Sequence, residues 1–241
     1  MASQSETGNT KNLAAFQQGI SYCKGYGAAY NPGNSALSTA NLDLQFAAAQ
    51  TLLDDWKAKF VAKAVAVDKR TLAFSTLRSL STRILSAMIA AGADQQTLET
   101  AKSFNRKIQG QRASKPQSPP DPTLPPPQVI SSAQTSYDNL VEHLKGLVGL
   151  VATLPAYQPN EADLKLSGLQ AHIELLKVKN FAILQAETDL HNARLARDHA
   201  FYDLPDGLAN TLTMMKAYVK SIFGSESNEY KQIRSIRFTP K

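Results

Sequence analysis

From Ser35 to about Phe74 the chain carries neither proline nor glycine, and Leu42, Phe46, Ala49, Leu53, Trp56 and Phe60 recur at alternating spacings of four and three. That rhythm puts them along one side of an α-helix, as the seam of a helical bundle. After one extra step of four the stripe resumes at Ala64, Val67, Thr71 and Phe74, the drift expected of a nearly straight helix. About forty residues at 1.5 Å each predict a rod of roughly 60 Å. A second stripe, Leu169, Ile173, Leu176, Ile183, Ala186, Leu190, Ala193 and Ala200, has the same character, with only Gly168 interrupting close to its start.

Shorter helices flank each rod. A first helix ends near Tyr30, and another near Tyr157, because Pro32 and Pro159 two residues on discourage continuation. Pro32 suits the first turn of the long helix with Asn31 as its cap, and Asn160 followed by Asp163 has the form of a capping box. The second rod breaks at Asp203-Leu204-Pro205-Asp206-Gly207, and the first breaks more softly around Ser75 to Ser79. Third helices end at Gly92 and Gly224, where glycine takes the left-handed conformation beyond a helix terminus. Fourth helices run from Gln95 to Gln109 and from Asn228 to Arg237. The alternation in Ile233 to Phe238 is too brief to argue for a strand.

Seven of the twelve prolines lie between Pro116 and Pro127, so residues 113–129 read as a linker of polyproline character. Its flanks, 11–112 and 130–241, look like copies. An offset of 127 aligns Tyr30, Pro32, Leu37 and Leu42 with Tyr157, Pro159, Leu164 and Leu169, and Ala73, Phe74 and Leu77 with Ala200, Phe201 and Leu204. After a short gap Gly92, Lys102, Ser103 and Phe104 meet Gly224, Arg234, Ser235 and Ile236. The expected fold is therefore all-α: two tandem four-helix repeats, each with one long helix, packed as an elongated pseudo-twofold bundle.

The chemistry available is sparse. One cysteine, Cys23, excludes an internal disulfide and a cysteine-rich zinc site; it reads as a packing residue. No Glu stands three residues before His143, His172, His191 or His199, so the di-iron spacing of ferritin-like bundles is missing. The run Glu187, Asp189, His191, Arg194, Arg197, Asp198 and His199 alternates in sign, as a solvated, ion-paired helix face does. Ser21-Tyr22-Cys23-Lys24 fits the Ser-x-x-Lys pattern of penicillin-recognising enzymes, but neither Ser-Asp-Asn nor Lys-Thr-Gly accompanies it. Gly25-Tyr26-Gly27 lacks the Gly-Lys-Ser or Gly-Lys-Thr of a phosphate loop. We expect no catalytic residue, no metal and no cofactor.

Charge and hydropathy leave two further function classes open. The formal net charge is +6, and positive residues gather at the ends of the two copies. Lys102, Arg106, Lys107, Arg112, Arg234 and Arg237 are the candidate contacts for nucleic acid or another polyanion. Cations there also oppose the negative end of a helix dipole. Leu144, Leu147, Val148, Leu150, Val151 and Leu154 form a strongly apolar segment, which raises a membrane-active bundle as another alternative. No stretch reaches the length of a membrane span. The residues Met1 to Thr10 lack the basic-then-apolar order of a secretion signal, which makes a cytoplasmic protein the expectation.

At Tyr-Asn-Pro before the first rod, Asn-Arg-Lys-Ile-Gln-Gly at 105–110 and Tyr-Lys-Gln-Ile-Arg-Ser-Ile-Arg-Phe-Thr at 230–239, the chain resembles an uncharacterised family of helical proteins of Bacteroidetes-type bacteria. The resemblance implies a bacterial, two-copy, all-helical protein and brings no catalytic residue or cofactor with it. The reading that results is a non-enzymatic structural or interaction protein that presents a surface to another macromolecule. A protein partner comes first, nucleic acid is the lesser candidate, and a homo-oligomer is compatible with both.

Overall fold

The computed structural model describes residues 8–111 and 134–239. The linker 113–129 and Arg112 lie outside the described residues. Among the described residues the chain is all-helical and has no strand. Its α-helices are α1 (Asn9–Gly25), α2 (Thr39–Ser75), α3 (Leu77–Ala90), α4 (Gln95–Ile108), α5 (Tyr137–Ala152), α6 (Leu166–Tyr202), α7 (Leu208–Phe223) and α8 (Asn228–Arg234). The two rods, α2 and α6, are each 37 residues long and begin 127 positions apart.

The helix ends follow local chemistry. Asp94 accepts from the Thr97 N–H at the start of α4, and Ser136 and Ser227 do the same for Asn139 and Tyr230 at the starts of α5 and α8. Gly92 and Gly224 follow α3 and α7 at φ 71° and 88°, the region where a side chain would be strained. The starts of the rods differ from expectation. Asn31 and Pro32 do not open α2; a 3-10 turn, Ser35–Leu37, comes first, with Asn34 accepting from the Ala36 N–H. The reason is Tyr30, whose buried hydroxyl donates to the Leu37 carbonyl at 3.0 Å and holds 30–37 as a closed loop. Before α6, Tyr157 likewise donates to the Leu164 carbonyl at 3.1 Å. There Asp163 pairs with Arg83 of α3 instead of capping a helix.

The chain divides into two compact units. The terminal unit takes residues up to 63 and from 186 onward; the middle unit takes 64–185. These units do not coincide with the segments 11–112 and 130–241, because α2 and α6 each begin in one unit and end in the other. In the terminal unit Phe16 and Ile20 of α1, Leu42 and Leu53 of α2, Phe201 of α6, Met215 of α7 and Ile233 of α8 share one core. In the middle unit Leu144 and Leu147 of α5, Leu169 and Leu176 of α6, Leu77 and Ile84 of α3 and Ile108 of α4 share another. The α5 segment suspected of membrane activity supplies buried core side chains, Leu144, Leu147, Val148 and Val151. Helices α4 and α5 approach so closely that a Cβ at Gly146 would lie 2.5 Å from the Phe104 ring.

The seam read along α2 is buried only toward its ends. Leu42, Ala49, Leu53 and Phe74 are covered, Phe60 is 57 % exposed, and no residue from Asp54 to Ala73 is buried. A helix shared by two units gives its side chains to two separate cores, and between them the stripe is only partly covered, Trp56 and Val67 half-buried and Phe60 and Ala64 exposed.

Candidate functional site

The residues that could carry chemistry are dispersed or already engaged. Cys23 is 1 % exposed, and burial pushes its thiol up to about 11, which keeps it protonated and unreactive near neutral pH. Lys24 is not poised on Ser21; its Nζ lies 2.8 Å from the Asp43 carboxylate. Among the described residues no group of three or more His, Cys, Asp or Glu is placed to hold a metal ion.

The sign-alternating run on α6 is partly as expected. Glu187 lies 3.0 Å from Lys63 and Asp189 lies 3.9 Å from Lys59, all half-exposed. Arg197 and Asp198 are the exception. Both are 7 % exposed, with Arg197 Nη2 2.5 Å from Asp198 Oδ1 and its guanidinium 4.5 Å from the centre of the Trp56 ring. A flat, weakly hydrated cation that stacks on an indole can be carried into a core together with its carboxylate.

The six basic candidates are divided between the units. Lys102, Arg106 and Lys107 stand on α4 of the middle unit, whereas Arg234 and Arg237 belong to the terminal unit; Arg112 is outside the described residues. Lys102 pairs with Glu99 at 2.8 Å, Arg106 Nε is buried, and Lys107 Nζ sits 5.9 Å from the centre of the Phe104 ring. Phe104, the aromatic candidate for base stacking on this side, packs over Gly146.

Two surfaces of the middle unit went unread in the sequence. On α6, Leu175, Val178 and Phe181 are 44, 59 and 65 % exposed and, at steps of three, share one side of the helix. They fall between the seam positions Leu169, Ile173, Leu176 and Ile183, and that off-seam placement was the available signal. The second surface is a groove of about 610 Å³ between α3 and the loop before α6. Thr82, Arg83, Ala87 and Ala91 form one wall, and Tyr157, Gln158 and Glu161 form the other. Arg83 also lines a smaller pocket of about 360 Å³, together with Thr76, Ser79, Asp163 and His172.

The Nε2 atoms of His143, in the core of α5, and of His172 are buried and unpartnered among the described residues. Burial holds both below the ordinary histidine pKa, and for His143 the Lys107 charge adds to it. The unfolded chain therefore takes up protons where the folded chain does not, and stability rises with pH through this window. Urea midpoints should be level above about pH 7.5 and fall as the pH drops below about 6.5, the unperturbed histidine value. The slope should shrink in His143→Gln; an identical slope in that variant counts against the assignment.

No helix among the described residues is long and apolar enough to cross a membrane. No family model, no curated protein and no solved structure matches this chain.

Proposed function

We propose that the chain is a non-enzymatic interaction protein, built by duplication of a four-helix repeat, that presents an apolar helix face to another macromolecule. In this reading each compact unit joins the first part of one copy to the last part of the other. The equal lengths and 127-residue offset of α2 and α6 support it. So do the matching hydroxyl bonds of Tyr30 and Tyr157, and Gly19 and Gly146, also 127 apart, each facing side chains of a neighbouring helix closely.

The observation that carries the functional reading is the exposure of Leu175, Val178 and Phe181. Covering one large apolar side chain is worth about 1.5–3 kcal/mol, so three on one face provide a driving force for association. Polyanion binding has weaker support, since Lys102 already has a carboxylate partner and Phe104 is packed over Gly146. A photo-crosslinking residue placed at 178 or 181 should capture the same macromolecule from a lysate of the native host, or a second copy of the chain. The same residue at the exposed, polar Thr100 should not. Equal capture at all three positions would overturn the proposal.

A further inference from the structure

The two units each hold a tyrosine-closed loop against a helix, Tyr30 beside α7 and Tyr157 beside α3. The stretch between α6 and α7 is four residues longer than that between α2 and α3, so Leu77 corresponds to buried Leu208 and not to exposed Leu204. The buried positions then align in order: Leu208 with Leu77, Leu212 with Ser81, Met215 with Ile84 and Val219 with Met88. That register sets Tyr218 against Ala87. In the terminal unit the Tyr218 ring meets Tyr30 edge-on, 5.2 Å between centres and 85° between planes, and its hydroxyl oxygen accepts the Asn31 N–H at 3.2 Å. In the middle unit alanine leaves that place open as the groove of about 610 Å³, a size at which small-molecule sites are common. Among the described residues no ring faces Tyr157, and the backbone N–H of Gln158, which corresponds to Asn31, has no hydrogen-bond partner.

We propose that this groove binds a phenolic ring, seated edge-on to Tyr157 over Ala87 with its hydroxyl oxygen accepting the Gln158 N–H. The terminal unit supplies the template for that geometry from its own chain. Ala90 and Ala91 keep the wall beside the ring apolar, and Arg83, Gln158 and Glu161 give polar edges to whatever the ring is attached to. Such a group belongs to a free phenol or to a tyrosine side chain of a polypeptide. The inference rests on the duplication proposed above and not on the exposed α6 face, so the crosslinking experiment can fail without touching it.

The test is an amide NMR titration of the full chain with p-cresol, N-acetyl-tyrosinamide and toluene. p-Cresol should move the Gln158 amide resonance saturably, toluene should move it far less, and Ala87→Tyr should abolish the shift by filling the groove from within. Tighter binding of N-acetyl-tyrosinamide than of p-cresol identifies a polypeptide tyrosine as the occupant; the reverse order identifies a small phenol. In Tyr218→Ala, p-cresol should also shift the Asn31 amide, which it leaves unmoved in the parent protein; this arm does not depend on the folding of Ala87→Tyr. An unmoved Gln158 amide, or toluene acting as strongly as p-cresol, overturns the proposal. A cresol shift at Asn31 of Tyr218→Ala without one at Gln158 would leave the duplication standing and remove the groove.

Discussion

Asp198→Ala is expected to lower the unfolding free energy of the terminal unit by about 3–5 kcal/mol, because it strands a cation inside the protein. Arg197 is 7 % exposed, and Asp198 Oδ1 lies 2.9 Å from its Nε and 2.5 Å from its Nη2. Water cannot take over that role at a buried site. The guanidinium's contact with the Trp56 face at 4.5 Å offsets only about 2 kcal/mol. Removing both charges should be milder: Arg197→Met with Asp198→Leu restores apolar neighbours and should cost clearly less than Asp198→Ala alone. The chain has a single tryptophan, Trp56, so urea unfolding followed by its fluorescence reports on this unit directly. A double variant no more stable than the single one would contradict the account of the pair.

Phe201→Ala should cost about 3–5 kcal/mol, the range for deleting a fully enclosed phenyl ring. Phe201 is 0 % exposed in the core of the terminal unit and has tilted ring contacts with Tyr202 and Phe238 at 6.0 and 6.3 Å. The control is Phe60→Ala on α2, chemically the same change at a residue 57 % exposed; it should shift stability by no more than about 0.5 kcal/mol. Sequence periodicity alone puts Phe60 on the seam and would have it matter as much as Phe201. Equal costs for the two variants would therefore return the argument to the continuous seam and contradict the two separate cores.

The helices themselves could be read from the chain because their signals are local. Long runs without proline or glycine, a glycine after α3 and α7, and the break at Pro205 act within a turn or two. The late starts of α2 and α6 were hidden, since they depend on tyrosine hydroxyls reaching seven residues ahead to Leu37 and Leu164. Periodicity also reports which side of a helix is apolar without saying where along its length that side is covered, so it does not distinguish the exposed Phe60 from the buried Leu53. For the same reason the charges at 197 and 198 looked solvated: their burial depends on Trp56, about 140 residues away. The groove beside Tyr157 is made by a loop folding against α3, and its counterpart is closed by Tyr218 over a separation of 187 residues from Asn31. Nothing in a local pattern announces such a difference.

Thermal unfolding of Ala87→Tyr probes the equivalence of positions 87 and 218 most directly. If the open place in the middle unit is the one Tyr218 fills in the terminal unit, the new ring meets Tyr157 edge-on and its hydroxyl reaches the Gln158 N–H. The gain from ring contact and burial then exceeds the roughly 0.5 kcal/mol loss in helix propensity, for a net stabilisation of about 1 kcal/mol. A melting temperature above that of the parent protein is the predicted result; a fall of several degrees, as overpacking of a closed site produces, would contradict it.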